Sequence, residues 1–195
     1  KLTDNKTSSW RILTFRPGND PIWNLAEAFI NNIAEWDNKK IDIQEVLAIL
    51  NSGPDGISKV VKTLIANPKE KVLILVDQFE ELFRYRTAGA GLVAGENSAG
   101  FVRLIEESVG QTETDVFTII TMRSDFIGEC AHFQGFTTLI NNSNYLVPHM
   151  NRENYRAAIE GPVKYAGASI DLKLVETLLD DIGDQTDQLP VLQHA

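Results

Sequence analysis

Residues 71–85 read KVLILVDQFEELFRY, an apolar run that stops on Asp77 and is followed closely by Glu80 and Glu81. From Val72 to Val76 every residue is Val, Leu or Ile, which predicts a strand buried on both faces of a parallel sheet. A carboxylate at the carboxyl end of such a strand faces the crevice where open α/β sheets bind ligands. An Asp placed there commonly holds the Mg²⁺ of a nucleoside triphosphate, so Asp77 is the first candidate site residue. A plainer reading exists beside it, because acidic side chains also favour helix N-termini for electrostatic reasons alone.

Strand-like runs and helical periodicities alternate through the rest of the chain. Trp10 to Phe15 is a short apolar strand ending at the turn Arg16-Pro17-Gly18, and Pro21 opens a helix whose Leu25, Ala26, Phe29, Ile30 and Ile33 share a face. Val46, Leu47 and Leu50 suggest a helix stopped by Gly53-Pro54; Val60, Val61, Leu64 and Ile65 suggest another that runs into Asn67-Pro68. Phe79, Leu82 and Phe83 continue from the acidic cluster as a helix, and the Gly-rich stretch TAGAGLVAGENSAG predicts a long flexible surface loop. A helix over Phe101–Ser108 leads to a second buried strand, Val116–Met122, which ends on Arg123 with Ser124 and Asp125 as an N-cap pair for the next helix. A last strand is expected over Tyr145–Val147, followed by a helix start at Asn151 and Asn154 and a helix break at Gly161-Pro162. Helices over Val163–Gly167, over Leu172–Ile182 and from Pro190 complete the pattern, which is α/β over residues 1–150 and all-helical over 151–195.

Composition narrows what the crevice can serve. With 195 residues the chain can build one sizeable core and a small appended subdomain. The apolar runs fall far short of the roughly 20 residues that span a bilayer, so no membrane partner is expected. A formal charge of −9 opposes a phosphate-backbone surface, which argues against nucleic acid. Cys130 has no partner cysteine and the first residues carry no signal-peptide core, so the expected location is a reducing compartment, the cytoplasm. His132, His149 and His194 lack metal-ligand spacing, and Cys130, beside Phe126 and Ile127, reads as a small core residue. Trp10, Trp23 and Trp36 are evenly spaced, but their surroundings share nothing that would make a repeat.

Four segments in order, VDQFEELF, TMRSDFIGEC, YLVPHMNRENYRAAIEGPVKYAG and LPVLQHA, together with FRPGNDP, resemble the nucleotide-binding domain of STAND-type P-loop NTPases. The branch they look most like is the bacterial one often fused to WD-repeat arrays. The resemblance covers Trp10 to Ala195 and implies an AAA+ and NACHT-related fold, a P-loop NTPase-like parallel sheet followed by a helical lid-type subdomain. It implies that Asp77 is the Walker B aspartate on the Mg²⁺ side, and that Glu80 or Glu81 polarises the attacking water, which spacing alone does not assign. It implies a sensor role for Arg123, a forked cation toward the γ-phosphate, and an adenine-side role for Pro190. Arg123 could equally pair with Asp125 or Glu129 as structure, and Pro190 could simply start a helix.

The Gly-rich phosphate loop GxxxxGK[ST] does not occur in the 195 residues. In the family it lies upstream of the strand that begins here at Trp10, so the expectation is a fragment whose sheet lacks its central strand, next to the strand ending at Arg123. Loop backbone N–H groups and the loop lysine supply most phosphate affinity, so these residues alone should bind nucleotide poorly. The leading expectation is part of a signalling switch that binds and slowly hydrolyses ATP or GTP with Mg²⁺. Its expected partners are an upstream Walker A segment and a downstream repeat or sensor domain of the same chain, with a homo-oligomer as a further partner. The alternative is a non-catalytic oligomerisation or interaction module with a degenerate NTPase fold. A metal-dependent nuclease built on Asp77, Glu80 and Glu81 is weaker, because no lysine follows the acidic pair and the net charge repels DNA.

Overall fold

The computed structural model describes residues 10–37, 41–65, 67, 70–87, 91–111 and 115–182. Its contacts divide the chain into two compact units, Lys1–Asn144 and Tyr145–Ala195. In the first unit the three apolar runs become strands β1 (Trp10–Phe15), β2 (Lys71–Val76) and β3 (Val116–Ile120) of a parallel sheet in the order β1-β2-β3. Register aligns Leu13 with Ile74 and Thr118, and Ile12 with Leu73 and Phe117. Parallel neighbours require long crossovers. Helices α1 (Pro21–Asp37), α2 (Ile43–Leu50) and α3 (Gly56–Leu64) supply the first, and α4 (Glu81–Thr87) with α5 (Gly91–Gly110) the second.

One face of this sheet is sealed. Leu13, Val72, Ile74 and Val76 have no exposed surface, and with Phe15 they share one core with Leu25 and Phe29 of α1, Val46 and Leu50 of α2, Val60 of α3, and Phe101 and Ile105 of α5. At the α2–α3 corner a Cβ on Gly56 would stand 2.6 Å from the Leu50 carbonyl oxygen, so only glycine lets the two helices meet this closely. Asp42 starts α2 by accepting the Gln44 N–H. At the N-terminal edge of the sheet, Arg11 forks onto Glu70 through its Nε, at 2.6 Å, and its Nη2.

The other face departs from the expected two-sided burial. Leu73 and Leu75 are only half-buried, and Ile12, Phe117 and Ile119 beside them are 46%, 44% and 51% exposed. An all-apolar run signals burial without saying which face is covered. Here α1 and α5 cover the Leu13 side.

Several local expectations are corrected. The Gly-rich stretch is not a long loop: α5 begins at Gly91 and runs to Gly110. Each helical glycine costs about 1 kcal/mol relative to alanine, but burial of Phe101, Val102, Leu104 and Ile105 in the same helix outweighs it. The segment after Asp77 is a turn before it is a helix, since α4 starts only at Glu81. Ser124 and Asp125 are not a cap pair; they lie inside a 3-10 helix, Ser124–His132, with Arg123 at the cap position and no side-chain cap bond. Strand β3 stops at Ile120, two residues short of the expected end. Helix α6 (Gln134–Ser143) carries too few apolar residues for its periodicity to stand out, yet Phe136 buries in the core.

In the second unit, Tyr145–Val147 is not a strand: its side chains are exposed, and among the described residues no strand pairs with it. Helix α7 (Arg152–Tyr165) opens with the Asn151–Asn154 capping box, each side chain accepting the other's backbone N–H. Gly161-Pro162 does not break it, because Pro162 lies in the last turn and the Ala158 carbonyl that loses its donor is on an exposed residue. Helix α8 (Leu172–Ile182) buries Val175 and Leu179 against Tyr155, Ile159 and Ile170. Across the same pair, Arg152 bonds Glu176 and Asp180, and Arg156 bonds Glu176. The helix expected from Pro190 lies outside the described residues.

Candidate functional site

Backbone bonds fix where β2 ends. The Asp77 N–H donates to the Phe15 carbonyl at 2.9 Å, and the Thr121 N–H to the Val76 carbonyl at 3.0 Å, so the three strands remain tied one residue beyond the sheet. The chain then reverses through Gln78, which has φ +56°, an uncommon value for a residue with a side chain. This turn delivers Phe79 into the core, where its N–H bonds the Thr121 carbonyl and its ring stacks on Phe136 at 5.2 Å between centroids. Phe83 comes one helical turn later and stacks on Phe126. The segment from Asp77 to Glu81 is therefore held at both ends.

Alternation along β2 puts Asp77 on the less covered face, with Leu73 and Leu75. Its two oxygens have different surroundings. The Thr121 hydroxyl donates to Oδ1 at 2.6 Å while accepting the Gln78 N–H at 3.1 Å. The Arg16 Nε donates to Oδ2 at 3.3 Å, and this pair is open to solvent, with side chains 59% and 37% exposed. One oxygen is thus locked by a short bond across the strands and the other is held loosely.

Glu81 and Glu80 part company at this turn. Glu81 Oε2 accepts the Gly18 N–H at 3.0 Å. With the Gln78 amide oriented to satisfy its neighbours, its nitrogen donates to Glu81 Oε1 at 3.2 Å and its oxygen accepts from Arg16 Nη2 at 3.3 Å. Gly18 takes φ +58°, and a Cβ on it would stand 2.8 Å from Asn24 Nδ2, whose amide holds the Arg16 and Pro17 carbonyls. Glycine suits that position on both counts. Glu80 is 6% exposed and its Oε2 is buried without a hydrogen-bond partner, an arrangement that costs free energy unless a donor arrives.

The structure therefore joins Asp77 and Glu81 through the Arg16–Gly18 turn and buries Glu80 beside them in sequence. Arg123 lies two residues beyond Thr121, past the end of β3, and its fork closes on Asp125 through Nε at 3.1 Å and Nη2 at 3.0 Å. That bond holds the Asp125 carboxyl below the usual aspartate range. Pro190 lies outside the described residues. Burial, then the nearby Glu129 charge, pushes the Cys130 thiol up to about 11, in keeping with a core residue.

Thr121, Arg16 and Gln78 are the participants that sequence reasoning misses. By sequence Thr121 is one more strand residue, and Arg16 is part of a turn. The signal that could find Thr121 is register: once β2 and β3 are parallel neighbours with Val76 opposite Ile120, Thr121 falls beside Asp77.

Asp77 and Thr121 offer the hard oxygens that Mg²⁺ takes, on a reachable surface. Among the described residues no group of three or more His, Cys, Asp or Glu could hold a metal unaided. Two such oxygens would leave most of an ion's ligands to come from water or from a bound molecule. No helix among the described residues is long and apolar enough to cross a membrane. A family model described as Novel STAND NTPase 1 matches residues 1–195. No curated protein and no solved structure matches the chain.

Proposed function

The chain belongs to the Novel STAND NTPase 1 family, and from that premise we propose that it serves a nucleotide-dependent signalling switch that binds and slowly hydrolyses ATP or GTP. The observation that carries the reading is Asp77: a carboxylate at the carboxyl end of a central parallel strand, with one oxygen fixed by Thr121 and the other in a solvent-exposed pair with Arg16. In this reading Asp77 would hold Mg²⁺, which would supply neutralisation of phosphate charge. Thr121 holds the carboxylate in the orientation that presents Oδ2. Of the two glutamates, Glu80 is the carboxylate with an unpartnered oxygen, whereas both Glu81 oxygens are engaged in the turn. That contrast favours Glu80 for positioning the attacking water and Glu81 as a strut.

Arg123 serves as the γ-phosphate sensor once its fork leaves Asp125, and an adenine-side role falls to Pro190. Helices α7 and α8 belong to the lid-type subdomain. The switch acts in the cytoplasm, linked to repeat or sensor domains of the same chain, and is able to assemble with further copies. Nucleotide shifts the equilibrium between closed and open forms only by its difference in affinity for the two.

Asp77→Ala in the full-length protein is expected to lower Mg²⁺-dependent nucleotide binding or hydrolysis by at least about tenfold, or about 1.4 kcal/mol; unchanged ATPase kinetics remove the assignment. A second reading, a platform that binds no nucleotide, draws support from the absence of GxxxxGK[ST] from the sequence. Calorimetric titration of ATP and Mg²⁺ into the full-length protein separates the two, since micromolar binding contradicts the platform.

A further inference from the structure

Arg16 stands where a cation would stand. Its Nε lies 3.3 Å from Asp77 Oδ2, the oxygen that Thr121 leaves open, and its Nη2 reaches the Gln78 amide oxygen at 3.3 Å. Resting on the reading of Asp77 as the metal-side carboxylate, we propose that Arg16 is a positioning residue: its guanidinium acts as a displaceable stand-in for the divalent cation, neutralising Asp77 until the cation arrives and then swinging away.

Two contrasts support displacement over a permanent bond. Arg11 and Glu70 show what a fixed arginine pair looks like in this chain, with a 2.6 Å contact and side chains only 17% and 12% exposed. The Arg16–Asp77 pair is longer and solvent-exposed, a class of ion pair that contributes little net free energy and is easily exchanged. Its surroundings are also built to stay when Arg16 leaves. Gly18 is anchored to Glu81 through its N–H, and Asn24 holds the carbonyls of Arg16 and Pro17. The backbone of the turn is thereby fixed while the guanidinium is held by its tip alone. Displacement frees a forked cation suited to phosphate oxygens at the mouth of the crevice.

The test is Mn²⁺ affinity of the full-length protein, read from free Mn²⁺ by electron paramagnetic resonance at saturating non-hydrolysable ATP analogue. Arg16→Gln is expected to tighten Mn²⁺ binding about two- to fivefold, and Arg16→Lys by less. In Asp77→Asn, Mn²⁺ binding weakens, and adding Arg16→Gln to it brings no gain. An Arg16→Gln protein that binds Mn²⁺ equally or more weakly, while Asp77→Asn still loses affinity, overturns the stand-in and leaves Asp77 in place. If Asp77→Asn has no effect on Mn²⁺, the metal-side reading falls and the stand-in with it. The arginine Nε–H resonance missing from Arg16→Gln gives an independent check: it shifts on adding Mg²⁺ in the unmodified protein and stays still in Asp77→Asn.

Discussion

The two compact units hold themselves together by different physics. In the first, a sealed sheet face and the helices packed on it bury large side chains completely, among them Phe29, Phe79, Phe101, Leu13 and Ile74. In the second, Val175 and Leu179 are the buried pair among the described residues, and exposed arginine–carboxylate bonds span the same two helices. Apolar burial is insensitive to pH and strengthened by many salts, whereas exposed ion pairs are screened and titrate. The first unit is a scaffold suited to holding a carboxylate still. The second is a helix pair whose cohesion responds to its surroundings.

Three measurements would break or sharpen that contrast. The largest effect is expected at Ile74: Ile74→Ala should cost about 2–5 kcal/mol in chemical denaturation, and a loss near zero would show that the sealed face is not the source of the first unit's stability. Next comes Asn151→Ala, which removes half of the capping box and should cost about 0.5–2 kcal/mol, read as faster amide exchange within residues 152–165. Exchange unchanged there would mean that the cap is redundant. Smallest is the acid response of the second unit. Arg156 and then Arg152 hydrogen bonds hold the Glu176 carboxyl below its ordinary 4.5. A carboxyl lowered on folding contributes stability that is complete above 4.5 and is lost as pH falls through the lower folded value. Circular dichroism of the helix pair should therefore show acid loosening below that pH, flattened by Glu176→Gln. A response that survives the substitution would point to other carboxylates.

Most of the scaffold is legible in the sequence because its signals are local. Short stretches rich in aliphatic and aromatic residues mark all three strands, Pro21 opens α1, Gly53-Pro54 separates α2 from α3, and Asn151 with Asn154 announces α7. The failures arise where context overrides local preference, through burial in one case and the lack of a described pairing strand in the other. Gly91–Gly110 is helical despite its glycines because its later half enters the core, and Tyr145–Val147 is strand-like in composition but pairs with no described strand. Asp77 can be picked out from one segment. Its partners cannot, since Arg16 and Thr121 are 61 and 44 residues away in sequence and meet it only through the sheet register. The different surroundings of Glu80 and Glu81 are likewise invisible in the sequence, because adjacent carboxylates differ only in where the turn points them.

That turn has a mechanical consequence. Gln78 is wound into a left-handed backbone that a glutamine adopts at a cost on the order of 1–3 kcal/mol. It sits between the aspartate and the glutamates like a cocked spring. Any ligand whose arrival lets this one peptide unwind recovers the stored free energy as affinity, a gain of roughly five- to 150-fold. Gln78→Gly would slacken the spring without removing a single carboxylate.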